Sequence, residues 1–132
     1  MSSNLARILY VDDEPHIRAL AKVALEKVGK LTACLCASGQ EAVSNAPGFA
    51  PDMILLDVMM PGMDGPATFD ALRSIEGLAH VPVVFVTAKP QAAELQRLLA
   101  LGAADVIAKP YRPLELSGHL ATIWSRMSPT EN

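Results

Sequence analysis

Short, almost wholly apolar runs alternate five times with segments of helical period along this chain, and that alternation leaves few folds open. Arg7 to Val11 reads as a first strand. Pro15 to Val28 reads as a helix, with Pro15 in its first turn, Ile17, Leu20, Ala21, Ala24, Leu25 and Val28 on one face, and Gly29 as its stop. Leu31 to Ala37 is a second strand. Ser38 and Glu41 form a capping box that opens a short second helix, which Pro47 and Gly48 are expected to break. Met53 to Asp57 is the third strand, and a third helix runs from about Pro66 to Glu76 with Phe69, Leu72 and Ile75 inward. Val83 to Val86 is the fourth strand. A fourth helix runs from about Pro90 to Leu101, where Gly102 stops it. Asp105 to Ala108 is a short fifth strand. Pro113 starts a last helix with Leu116, Leu120, Ile123, Trp124 and Met127 inward, and residues 128–132 read as a frayed end.

Strands one, three and four are apolar nearly throughout, as expected where helices cover both faces of a parallel sheet. Five such strand–helix units give an open, doubly wound α/β fold with a five-stranded parallel sheet. The 132 residues suffice for one domain, with a core from about residue 5 to 127. Although 51% of the residues are hydrophobic, no run approaches the roughly 20 needed to cross a bilayer, and Met1-Ser2-Ser3-Asn4 does not open a secretory signal. The net charge is −3 and Lys and Arg are scattered, which argues against a nucleic-acid surface. Cys34 and Cys36 share one face of a strand, where a direct disulfide would distort the backbone. They read as small buried residues in a reducing cytoplasm.

In open α/β sheets, ligands bind beyond the carboxyl ends of the strands, where the winding direction switches. That edge holds Asp12, Asp13, Asp57, Thr87 and Lys109. Like charges near 4 Å repel by about 4 kcal/mol at an effective dielectric near 20, so three clustered carboxylates need an offset. A hard divalent cation with oxygen ligands supplies one, and magnesium keeps positions open for water and phosphate. A hydroxyl at Thr87, an ammonium at Lys109 and a metal would neutralise the equatorial oxygens of a transferring phosphoryl group. A carboxylate nucleophile would then give an acyl phosphate.

Four motifs carry a family likeness: Val11-Asp12-Asp13-Glu14, the stretch from Leu56-Asp57 through Met63-Asp64-Gly65, Val86-Thr87-Ala88, and Ala108-Lys109-Pro110. On these the chain resembles the receiver domain of two-component response regulators, of the chemotaxis-receiver kind, from residue 5 to about 127. The resemblance implies a flavodoxin-like sheet of strand order 2-1-3-4-5. It implies that Asp57 accepts a phosphoryl group from a phosphohistidine of a sensor histidine kinase, in a phosphorelay of the cytoplasm. Asp13, Asp57 and the backbone carbonyl of Met59 would hold Mg²⁺, with Asp12 acting through metal-bound water. Thr87 and Lys109 would grip the phosphoryl oxygens, Met59 and Lys89 would modulate hydrolysis, and the Lys109-Pro110 bond would be cis. Such a protein is a switch acting on other proteins. It catalyses its own phosphorylation and slow dephosphorylation, turns over no substrate, binds no nucleic acid directly and sits in no membrane. It works freestanding, as a relay intermediate, or as part of a larger regulator or hybrid kinase.

One position departs from the family. Many receivers carry Tyr or Phe three residues before the lysine, and its ring swings on activation; here the residue is Val106. Readout through the loop and helix four, or through helix one or another face, is expected instead. Glu14 either favours the start of helix one or touches the metal's water shell. Asp64-Gly65 reads as a turn and helix entry, Met59, Met60 and Met63 as loop packing, and His16, His80 and His119 as surface residues. A flavodoxin-like cofactor binder would need a Gly/Ser/Thr-rich loop where Asp12-Asp13-Glu14 stands. An aspartyl-nucleophile phosphatase would need an acid two residues after Asp57, where Met59 stands. A receiver that binds partners without phosphate would not need all five site positions filled.

Overall fold

The computed structural model describes residues 4–88 and 90–127. Five strands, β1 (Arg7–Val11), β2 (Thr32–Cys36), β3 (Met53–Asp57), β4 (Val83–Thr87) and β5 (Asp105–Ala108), form one parallel sheet in the order β2-β1-β3-β4-β5. Between and after them lie α1 (Pro15–Lys22), α2 (Gly39–Phe49), α3 (Gly65–Arg73), α4 (Ala92–Ala100) and α5 (Pro113–Met127).

The two-residue period of each strand sorts its side chains into two layers. Ile8, Tyr10, Met53, Leu55, Val84, Val86 and Ile107 face α1 and α5, where Ala21, Leu25, Leu116, Leu120 and Ile123 meet them. Leu9, Val11, Ile54, Leu56, Val83 and Phe85 face α2, α3 and α4, against Ala42, Ala46, Phe69, Leu72 and Leu98. β3 and β4 are buried along their whole length, which explains why no polar alternation marks them in the sequence. The winding direction reverses between β1 and β3, so the crevice lies at the ends of those two strands.

Several element ends differ from the sequence reading. The first helix turns π-helical over Val23–Val28. Leu20, ahead of the wider turn, and Val28, at its end, are exposed, while Ala21, Ala24 and Leu25 are buried. Gly29 ends it in ordinary right-handed geometry, and the left-handed residue is Lys30 (φ 58°). Glycine is required at 29 for space: a Cβ there would lie 2.6 Å from Ser117 Cβ on α5.

Pro47 and Gly48 do not break α2, which continues to Phe49. Pro47 removes the amide that would have paired with the Val43 carbonyl, and both Pro47 and Gly48 stand on the exposed side of the helix. The last turn is clamped from β1, because Arg7 Nε donates to the Phe49 carbonyl at 2.8 Å and its guanidinium lies 4.2 Å from the Phe49 ring centre. Ala50, in left-handed geometry, ends the helix. Ser38 Oγ accepts from Glu41 N as a cap should, while the Glu41 carboxylate takes the amide of Ala37. α3 stops at Arg73, and α4 starts two residues later and ends one earlier than expected. Met127 is exposed rather than inward, and Trp124 is half-buried against the α1–α5 layer. The three histidines are exposed and both cysteines are free thiols. The end at 128–132 lies outside the described residues. Among the described residues, no helix is long and apolar enough to cross a membrane.

Candidate phosphoryl and metal site

β1 delivers Asp12 and β3 delivers Asp57 to neighbouring points on the same sheet edge, since Val11 pairs with Leu56. Both carboxylates are buried, at 0% and 6% exposure. Asp12 is fixed on every side. Its amide donates to the Cys36 carbonyl at 3.0 Å, and its carbonyl accepts from Arg18 Nη1 at 2.8 Å. Its Oδ1 accepts from the Glu14 amide at 3.0 Å, and its Oδ2 accepts from Lys109 Nζ at 2.8 Å. Lys109 Nζ also lies 3.1 Å from Asp57 Oδ1. Asp13 completes the cluster, with one carboxylate oxygen from each of Asp12, Asp13 and Asp57 within 4.8 Å of the others.

A pair of backbone contacts sets Asp57. The Val58 amide donates to the Val86 carbonyl at 3.1 Å, and the Gly65 amide donates to the Val58 carbonyl at 2.9 Å. This draws the start of α3 against the end of β3 so tightly that a Cβ on Gly65 would sit 2.5 Å from the Asp57 carbonyl oxygen. Asp64 caps α3 by accepting from the Ala67 amide, which bears out its reading as a helix entry. Thr87 is buried at the end of β4 and pairs with Ala108. The Lys109 amide donates to the Thr87 carbonyl at 2.8 Å, and Lys109-Pro110 is cis.

Burial, then the negative charge of Asp12, push the Asp57 carboxyl up to about 6, with Lys109 only partly opposing. Burial alone would lower the Lys109 ammonium, but its hydrogen bond to Asp12 and the charges of Asp57 and Asp12 outweigh that, so its pKa is raised. Lys109 thus serves as an internal counter-ion for a pocket that carries more negative charge than one ammonium balances. The all-oxygen donor set and the leftover charge fit a hard divalent cation.

Beyond this carboxylate–lysine cluster, Met59 is read for its backbone carbonyl rather than its side chain. Met59 turns its side chain outward, at 78% exposure. Val106 packs into the opposite layer beside α2–α4. Lys89 lies outside the described residues. Three features escaped the sequence reading. One is Arg18, which reaches back from the first turns of α1 to the Asp12 carbonyl. The second is an apolar groove of about 250 Å³ lined by Ile17, Leu20, Ala88, Lys109, Pro110 and Tyr111. The third is the contact of Tyr10 with Tyr111, whose hydroxyls lie 2.9 Å apart. A lone phenol in the aliphatic run of β1 was the available signal for that contact.

The sequence profile of the response regulator receiver domain matches residues 8–121. The chain is similar to the transcriptional regulatory protein BaeR of Escherichia coli O6:H1, 37% identical over 98% of this chain and 52% of that protein. It therefore spans about half the length of the curated relatives it matches. Among solved structures it resembles chemotaxis protein CheY4 of Vibrio cholerae, with a TM-score of 0.84 and 29% identity over 91% of this chain and 99% of that one. It also resembles the receiver domain of a signal transduction histidine kinase from Syntrophus aciditrophicus, with a TM-score of 0.79 and 33% identity over 96% of each chain.

Proposed function

Because the chain belongs to the receiver-domain family of two-component response regulators, in which an aspartate is phosphorylated, we propose that Asp57 is its phosphoacceptor. The observation that carries this is the meeting of Asp12, Asp13 and Asp57 around one ammonium, with Lys109 Nζ 3.1 Å from Asp57 Oδ1. An Asp57 oxygen attacks the phosphorus of a phosphohistidine on a sensor kinase. The P–N bond breaks, the imidazole leaves, and a mixed anhydride forms on Asp57. Asp13, Asp57 and the Met59 carbonyl would hold Mg²⁺, with Asp12 acting through its water. The bound ion supplies charge neutralisation at the phosphoryl oxygens. Thr87 and Lys109 take two of those oxygens, and Lys109 leaves the carboxylates for the incoming group as it does so. The apolar groove beside Lys109 gives a donor protein a surface to rest on.

The residues described here act as one receiver unit in the cytoplasm, where the free thiols Cys34 and Cys36 stay reduced. The unit phosphorylates itself and loses the group slowly, and its direct contacts are with proteins. A second reading, a relay station or the regulatory part of a longer regulator or hybrid kinase, is favoured by the half-length match and by the likeness to a kinase-borne receiver.

Incubation with acetyl phosphate and Mg²⁺, followed by phosphate-affinity electrophoresis, tests the assignment. Wild type shifts and Asp57→Asn does not. Wild type that never shifts, or a variant that shifts equally, overturns it.

A further inference from the structure

We propose that Tyr10 is a positioning residue for this transfer: its buried hydroxyl, hydrogen-bonded to that of Tyr111, holds the turn after β5 where Lys109 meets Asp12 and Asp57. The inference rests on the phosphoacceptor reading above.

Tyr10 is 1% exposed and lies in β1, paired with Leu35 on one side and Leu55 on the other. Its backbone is therefore among the best anchored in the molecule, and it stands two residues before Asp12. A phenol hydroxyl inside an aliphatic layer is costly unless paired. Here the partner is Tyr111 Oη at 2.9 Å, and the rings meet edge to face with centres 6.5 Å apart.

Tyr111 follows Lys109 across Pro110, which has no amide to donate. The turn's backbone is tied at one end by Lys109 N to the Thr87 carbonyl and at the other by Glu115 N to the Arg112 carbonyl. The tyrosine pair ties the segment between those points to the sheet. Lysine has a long, flexible stem, so where its ammonium rests depends on where its backbone is held. The sequence also explains why such a tie is useful here: Val106 cannot brace this turn with a ring, and it packs on the other side of the sheet.

The test uses Tyr10→Phe, Tyr111→Phe and the double variant, with wild type and Asp57→Asn alongside. Phosphorylation rates are taken against acetyl phosphate concentration at saturating Mg²⁺, and Mg²⁺ affinity is measured separately by calorimetry. Each single variant is expected to lower the saturating rate about fivefold, the scale of one positioning hydrogen bond. The double variant is expected to be no slower than the singles, because the two hydroxyls form one link. Mg²⁺ affinity should not fall, since the carboxylates stay in place. Wild-type rates in both singles overturn the proposal, as does slowing accompanied by weaker Mg²⁺ binding, which would mean that β1 itself had moved. If Tyr10→Phe fails to fold, Tyr111→Phe, altered in a half-exposed turn, is judged by the same two measurements. Failure of wild type to be labelled strikes the phosphoacceptor reading instead, and Asp57→Asn separates the two outcomes.

Discussion

Lys109 lies between two carboxylates, and two consequences follow at the scale of single residues. First, its ammonium competes with a divalent cation for Asp12 and Asp57. Lys109→Met should bind Mg²⁺ about tenfold more tightly by calorimetry, the effect of removing one nearby charge. The same change should slow phosphorylation by acetyl phosphate about a hundredfold, because a donor to the transferring group is gone. Second, Asp57 keeps its proton in the folded protein up to about pH 6, whereas the unfolded chain releases it near 4. The folded state therefore holds more protons in that window, and its stability falls as pH rises from 4 to 6, then levels. The side-chain amide of the Asp57→Asn variant does not titrate. Urea melts in EDTA should show the variant gaining on wild type across this window, by about 3 kcal/mol in all. A constant gap from pH 4 to 7 would show that the carboxyl is not perturbed.

At the scale of elements, the ends matter more than the middles. α3 begins where β3 ends, and the contact of Gly65 with the Asp57 carbonyl leaves no room for a methyl group. Gly65→Ala should destabilise the protein by about 2 kcal/mol through overpacking. It should also slow phosphorylation, because the displaced helix start carries the loop that follows Asp57. Thermal melts and labelling rates check the two effects separately. Helix interiors were legible from their period, and Phe69, Leu72, Leu116, Leu120 and Ile123 are buried as their spacing implies. The π turn in the first helix and the survival of α2 past Pro47 were not. Both end on a partner distant in the chain: the π turn runs into Gly29, which packs against Ser117 of α5, and the last turn of α2 carries the contact of Arg7 with Phe49.

On the scale of the whole molecule, the proposed phosphorylation at one edge requires a surface elsewhere to change. With Val106 in place of a ring, the route is expected to run through the loop after β4 and α4, or through α1 or another face, rather than α5 alone. Comparing amide exchange with and without beryllofluoride would trace it, and protection changes confined to α5 would refute the expectation. The sequence by itself determined the α/β class, the strand edge where Asp12, Asp13, Asp57 and Lys109 stand, and the motifs by which the chain resembles its family. Those depend on short-range patterning and on residue types that few other sites require together. Only the tertiary structure decided that Lys109 bridges Asp12 and Asp57, that Arg18 holds the Asp12 carbonyl, and that Tyr10 meets Tyr111 across the turn. Such contacts join residues up to 101 positions apart. No local pattern encodes the two that involve the turn after β5, because it is the parallel sheet that brings the ends of β1, β3 and β5 to one edge.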